Sequence, residues 1–341
     1  MTHDSPAGLT RRQFTCGAAL TLAAFGTAHR ARAAGPLHIG ALFAGKVDDR
    51  GFMESGWRGL ERARVELGVL TSVIDGVMPK KELLADALTR LAGSGVDLVV
   101  AHGGQNNEAV AEVAPRFPGV RFVVTQGAVT APNVASYDVL QEESAYLAGV
   151  LAALTTRSGV VGHMSGIRVR PGLKGRAAYA AGVRATDPKV TLLTNFSGHQ
   201  DDNALSRRVA QAQAAQGADV IFTMLNAGRD GVTETCREKG IRQIGNVIDW
   251  VAADPKVFVG SAIADVSMGV FNAVRDLQAG RFQAGVVHRI GLAEAGAVRL
   301  SLAADVPAGL RTRIDQAAAA IRDGRLHVPE QYDGAEFQTP A

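Results

Sequence analysis

Short apolar runs alternate along the chain with stretches whose apolar residues recur every three or four positions. "LHIGALF" (Leu37 to Phe43), "TSVIDGV", "GVDLVVAHGG" and "VRFVVTQG" are of the first kind. Each is bounded by glycine or small polar residues and is too short for a helix, so each reads as a strand. Between them, "FMESGWRGLERARVEL", "KELLADALTRLA" and "NEAVAEVAPRF" carry helical spacing, with Leu84, Leu88 and Leu91 on one face. The near-continuous apolarity of "DLVVAH" predicts a parallel strand covered on both sides.

The series then restarts. "GVVGHMSG", "VTLLTNF", "GADVIFTMLNAG" and "IRQIGNVI" read as strands; "GLKGRAAYAAGVRA", "NALSRRVAQAQAAQ" and "DGVTETCREKG" read as helices. As many positions separate Gly159 from Asp219 as separate Leu37 from Asp97, and "AGSGVDLVVAHGG" looks like "AAQGADVIFTMLNAG". Two matching β-α-β-α-β units predict an α/β protein with two doubly wound, Rossmann-like lobes. "YLAGVLAALT" (Tyr146 to Thr155) is a helix leading into the second lobe, and "VSMGVFNAVRDLQAG" is a helix stopped by Gly280. Two short strands and the helix "PAGLRTRIDQAAAAIRDG" follow. They are too few for a third domain, so they should pack back on the lobes. The expected first lobe is 36–140 plus about 257–285, and the second is 141–256 plus about 286–330, joined by a multi-crossover hinge. The loops at the strand ends then converge on one cleft.

Composition agrees. The 341 residues are 47% hydrophobic and 20% charged, enough for two proper cores. The net charge of +3 belongs to the first 33 residues, where Arg11, Arg12, Arg30 and Arg32 stand against Asp4. The remainder is neutral, so no nucleic-acid partner and no membrane-surface field is expected. The same segment has the form of an export leader. "TRRQF" precedes the weakly apolar "CGAALTLAAFG", and "ARA" (Ala31 to Ala33) supplies a small-x-small cleavage pattern. The paired arginines resemble a twin-arginine signal; the alternative is a disordered tail. No run is long enough to span a bilayer. A soluble, exported, periplasmic monomer is therefore expected. Once 1–33 is removed, Cys236 is the sole cysteine and makes no internal disulfide.

Candidate chemistry gathers in the loops. "GKVDDRGFMESGWRG" places Asp48 and Asp49 before a helix, where a carboxylate either caps free N–H groups or accepts from a ligand. Phe52 falls in the first turn, positioned to stack on a flat ring or to staple the core. Trp57, more than a turn on, is read as core. "HGGQNNEAV" presents backbone N–H groups at Gly104 and amides at Gln105 and Asn106, without dinucleotide or nucleoside-triphosphate glycine spacing. Asn226 lies in "LNAGRDG". "VIDW" puts Asp249 and Trp250 past a strand, suited to a sugar diol, an amine or a plain hinge turn. "IRVRPGLKGR" reads as a solvated basic rim. His102 and His163 end strands alone. Neither "DD" nor "HQDDN" has the spacing of a cation loop, and no nucleophile–base motif appears. No metal or cofactor is expected.

"GKVDDRGFMESGWRGL", "SAYLAGVLAALTTRSGVVGHMSG", "AYAAGVRA", "GADVIF" and "GRLHVP" together resemble the basic-membrane-protein family of ABC-importer substrate-binding proteins, which includes purine-nucleoside receptors. The resemblance implies a type I periplasmic-binding fold, a small ligand held between lobes, ABC permease and ATPase partners, and no catalysis. It implies that Phe52 is the base-stacking ring, beside Asp48 and Asp49, and that Asp249 binds ribose. The family's other nucleoside contacts are replaced by Phe43, Met53, Gln126 and Ala264. These changes make the pocket greasier, suited to a nucleoside, nucleobase or related planar heterocycle with fewer polar groups. The rival reading is a secreted hydrolase of nucleosides or amides using Asp48 and Asp49. A repressor's sensor lobe shares the fold, but a leader stands where its DNA-binding helices would be.

Overall fold

The computed structural model describes residues 35–338; the leader over 1–33 lies outside them. The first half runs β1 (His38–Phe43), α1 (Phe52–Leu67), β2 (Leu70–Ile74), α2 (Lys81–Gly93), β3 (Leu98–His102), α3 (Asn107–Val113), β4 (Arg121–Thr125) and β5 (Val134–Val139). It continues as α4 (Gln141–Thr155), β6 (Val160–Ser165), α5 (Arg170–Thr186), β7 (Thr191–Phe196), α6 (Asn203–Ala215), β8 (Val220–Met224), α7 (Arg229–Lys239) and β9 (Arg242–Val247). It closes with β10 (Phe258–Ala264), α8 (Ser267–Gln278), β11 (Val287–Ile290), β12 (Val298–Leu302) and α9 (Ala308–Arg322).

Two six-stranded sheets result, ordered β11-β5-β4-β3-β1-β2 and β12-β10-β9-β8-β6-β7. Pairing is parallel except between β10 and β12. The repeat seen in the sequence is a repeat of structure. Asp97 and Asp219 hold matching places: the Asp97 N–H donates to the first strand of its sheet at the His38 carbonyl, and the Asp219 N–H does the same at Val160. Gln126 and Val247 close the matching strands β4 and β9, and both have positive φ, 56° and 69°. For a β-branched valine that is a strained conformation.

The late segments differ from the expected lobes. β10 was expected with the first lobe, yet it pairs with β9 in the second sheet. β11 was expected with the second lobe, yet it extends the first sheet beside β5. The last two strands each extend a sheet edge, β11 beside β5 and β12 beside β10, and the chain reaches both by crossing back. It therefore passes between lobes three times: at Leu140, at Asp265–Val266 and over 291–297.

Glycines set the helix packing. An added Cβ at Gly149 of α4 would run into the Tyr179 carbonyl of α5, and one at Gly182 of α5 would run into the Tyr146 carbonyl. The two helices thus cross backbone to backbone, which explains the "LAGV" and "AAGV" pairs. Gly59 does the same for α1 against Ser267 at the start of α8.

The crossovers are stitched together. The Leu140 N–H donates to Ile290 O at 2.8 Å, Asp265 N–H to Ala297 O at 2.7 Å, and Leu292 N–H to the Glu143 carboxylate at 2.6 Å. Beside them Lys174 of α5, 3% exposed, ion-pairs with Asp138 of β5 at 3.2 Å and with Glu142 of α4. A second-lobe cation is thereby bound to a first-lobe carboxylate. Among the described residues, no helix is long and apolar enough to cross a membrane. Cys236 is buried and free.

Candidate functional site

Loops from the strand ends of both lobes face a shared cavity of about 660 Å³. The first lobe contributes 44–53, 76–79 and Gln105; the second contributes 167–172, 198–201, 224–227 and Asn246.

Phe52, the first residue of α1, is half-buried on the first-lobe wall. Its ring lies 4.4 Å from that of His102, tilted by 30°. His102 Nε2 donates to the Phe52 carbonyl at 3.0 Å, so Nδ1 is the acceptor for the Thr125 hydroxyl at 2.8 Å. Burial pushes the His102 pKa down to about 4. The ring beneath Phe52 is therefore a neutral imidazole with both nitrogens engaged. A Cβ at Gly56 would run into that ring. The glycines of "ESGWRGL" exist to seat His102 and α8, and they hold the aromatic platform in place.

The adjacent aspartates divide the work. Asp49 is 7% exposed, and its carboxylate accepts from the N–H groups of Gly51 (2.9 Å), Met53 (3.0 Å) and Glu54 (3.0 Å), capping α1. Burial raises its pKa, the three N–H groups lower it, and the charge of Asp201 across the cleft raises it further. Asp48 is exposed at the cavity edge.

Across the cleft, Ile167, Val169, Pro171 and Met224 form an apolar wall opposite Phe52 and Met53. Its polar edge is supplied by Asn226, Asn246, Gln200 and Asp201, the last fixed by accepting from the Ala227 N–H at 3.1 Å. Gln141, in the first turn of α4, lines the cavity with its Nε2 unpartnered among the described residues. The cavity thus combines apolar walls with amide and carboxylate groups, the mix of a small-molecule site.

Of the expected site residues, Asp48, Asp49, Phe52, Met53, Gln105 and Asn226 meet in this cavity. Six others do not line it. Phe43 is fully buried in β1, packed against His102 with ring centroids 5.5 Å apart. Gln126 clamps β5, its amide donating to Val139 O at 2.8 Å and accepting from Val139 N–H at 2.6 Å. Gly104 sits against the Gln126 carbonyl. His163 is buried in the second lobe between Thr194 (2.8 Å) and Ser165 (3.1 Å), its pKa pushed down to about 3 by burial and by Arg176. Asp249 accepts from the Ser301 hydroxyl at 2.8 Å and from Val251 N–H at 3.1 Å. Trp250 lies under the Arg229 guanidinium, 3.3 Å from the ring centroid, and donates to Asn246 O. Phe43 and His163 lie within β1 and β6, where alternating side chains point to the helix-covered faces of the sheet rather than to the cleft at its C-terminal edge.

The lining over 76–79, which no motif marked, and over 167–172 and 198–201, read from the sequence as a basic rim and a capping turn, follows β2, β6 and β7. Those loops are at the same C-terminal strand ends as the chosen ones, and that position was their signal. Within the "HQDDN" stretch, Asp202 caps α6 through the Leu205 N–H at 2.9 Å. Among the described residues, no group of three or more His, Cys, Asp or Glu side chains is placed to hold a metal ion. Of the "IRVRPGLKGR" cations, Arg168 is exposed as a rim residue would be, whereas Lys174 and Arg176 are 3% and 6% exposed and ion-paired.

Comparison with known proteins gives the same architecture. A solute-binding protein of an ABC transporter system from Aeropyrum pernix superposes with a TM-score of 0.77 at 22% identity, covering 87% of this chain and 95% of that one. The purine-binding protein of Brucella abortus is 23% identical over 241 residues, 69% of this chain and 67% of its own length. The transcriptional activator protein med of Bacillus subtilis is 23% identical over 228 residues, 67% and 71% of the two chains. The family model for PnrA-like ABC transporter substrate-binding proteins matches residues 37–321. With two type I lobes lining one cavity, this chain belongs to that family, a family of solute-binding proteins rather than enzymes.

Proposed function

We propose that the protein is the exported, periplasmic, monomeric receptor of an ABC importer, which captures a small planar ligand between its lobes and delivers it to permease and ATPase subunits. The observation that carries the ligand class is Phe52. A half-buried ring, backed by a neutral imidazole, forms one wall of a cavity shared by both lobes. Stacking gives affinity to any flat heterocycle, and Asp48, Gln105, Asn226 and Asp201 supply hydrogen-bond partners at its edge.

A nucleobase or related nitrogen heterocycle is favoured over its riboside. The carboxylate that the family resemblance assigns to ribose, Asp249, is bonded to Ser301 outside the cavity lining. Hydrolysis with Asp48 and Asp49 has little support, since three backbone N–H groups already occupy the Asp49 carboxylate.

Native mass spectrometry of gently purified protein, repeated after denaturation, tests this reading. A retained planar nitrogen heterocycle at one per chain is expected. Recovery of only a sugar or an aliphatic amino acid defeats the ligand class, and catalytic turnover of an added nucleoside defeats the receptor.

A further inference from the structure

Beyond α9 the chain forms no helix or strand up to residue 338, yet it is fastened along its length. It also lies beyond the residues matched by the family model, which end at 321. Near the crossovers, Glu330 lies 3.4 Å from Lys174, 3.4 Å from Arg289 and 3.9 Å from Arg170. Farther on, the two oxygens of Glu336 take Arg168 and Arg176, one each. The Tyr332 ring faces the Arg176 guanidinium at 4.7 Å, and the Phe337 N–H donates to the Thr194 carbonyl of β7 at 2.7 Å.

Of the cations gripped by the tail, Arg168 and Arg170 lie within the segment that walls the cavity, and Lys174 and Arg176 follow it on α5. Arg168 and Arg176 both cover the Phe196 ring, at 4.6 and 4.8 Å, with Glu336 joining them. Ile167, Val169, Pro171 and Gly172, interleaved with Arg168 and Arg170, line the cavity. Arg176 has a side chain 8% exposed, so its charge is poorly hydrated and depends on Glu336 for compensation.

We propose that the C-terminal tail is a strap that sets the second-lobe wall of the cavity, with Glu336 as a positioning residue for ligand binding. It touches no guest itself. It holds Arg168 and Arg176 on Phe196, and so fixes where Ile167 and Val169 stand opposite Phe52. The inference takes the interlobe cavity as the ligand site and depends on no particular ligand.

Hydrogen exchange of the full chain tests it without a ligand. In Glu336→Gln, the amides of 166–172 are expected to exchange at least about fivefold faster, because the opening of a locally held segment is released. First-lobe amides should stay unchanged, and Glu336→Asp should stay close to the parent protein. In parallel, adenine bound by the parent protein should be held about tenfold more weakly by Glu336→Gln, mainly through faster release. Unchanged exchange over 166–172, or faster exchange spread through both lobes, overturns the strap. So does a Glu336→Asp variant as fast as Glu336→Gln. If the parent protein binds no adenine, the proposed ligand class is weakened, while the exchange measurement still decides the strap.

Discussion

Phe52 and His102 are joined twice: their rings lie 4.4 Å apart, and His102 Nε2 donates to the Phe52 backbone carbonyl at 3.0 Å. The imidazole thus fixes both the first residue of α1 and the ring that residue presents to the cavity. A platform held from behind loses little side-chain freedom when a guest stacks on it, so more of the contact energy appears as affinity.

Replacing Phe52 with alanine should weaken binding of the retained ligand by about 1–3 kcal/mol, the range for removing an aromatic partner from a stacked base. Isothermal titration of parent and variant measures it. An unchanged affinity would make Phe52 a packing residue.

The buried histidine gives a pH dependence with a definite sign. His102 has its pKa depressed to about 4 from 6.5 by burial, so the unfolded chain takes up this proton first as pH falls. Its contribution is complete above about pH 6.5 and is lost progressively toward pH 4, roughly 3 kcal/mol in all. His163, depressed to about 3, acts in the same direction. Urea unfolding midpoints between about pH 7 and pH 4.5 should therefore fall, and His102→Gln should show a slope shallower by about one proton.

Adjacent aspartates should behave differently. Asp49→Ala removes the acceptor of three N–H groups at the start of α1 and should cost about 1–2 kcal/mol of stability. Asp48→Asn should leave stability within about 0.5 kcal/mol while weakening ligand binding by roughly 1–2 kcal/mol, the scale of a charged acceptor's hydrogen bond. Thermal melts and titrations on the two variants separate capping from contact.

The α4–α5 crossing provides a test away from the site. Gly149→Ala places a methyl group against the Tyr179 carbonyl and should destabilise the fold by about 1–3 kcal/mol. Gly182→Ala, against the Tyr146 carbonyl, should do likewise, and the pair should be non-additive because both act on one contact. Denaturant midpoints check both.

What the sequence revealed, and what it hid, follows from where polar groups sit. β1, β3, β6 and β8 were legible because each keeps a run of apolar residues bounded by glycine or small polar residues, even where His163 or Thr223 stands within it. β5 and β10 escaped the strand series because Ser136, Asp138 and Ser261 interrupt their apolarity. In the fold these residues are buried with partners: Ser136 donates to Val129 O, Asp138 pairs with Lys174, and the Ser261 hydroxyl accepts from Trp250 N–H. A strand whose polar groups are satisfied only by distant segments cannot be recognised locally. The same holds for the tail, where Glu330 and Glu336 take on meaning only beside Lys174, Arg168 and Arg176. Phe52 and Asp49 were legible because a helix start fixes their surroundings within a few residues. The role of Gln126 was not, because its amide bonds reach Val139 on another strand.

In the proposed receptor both lobes share one cavity, and a flat guest stacks there on Phe52. Calorimetric titration with adenine, guanine, their ribosides, ribose and leucine tests it most directly. Saturable one-to-one binding of a base or its riboside is expected, weakened in Phe52→Ala and absent for ribose and leucine. Tight binding of ribose or leucine, indifferent to Phe52→Ala, would contradict it.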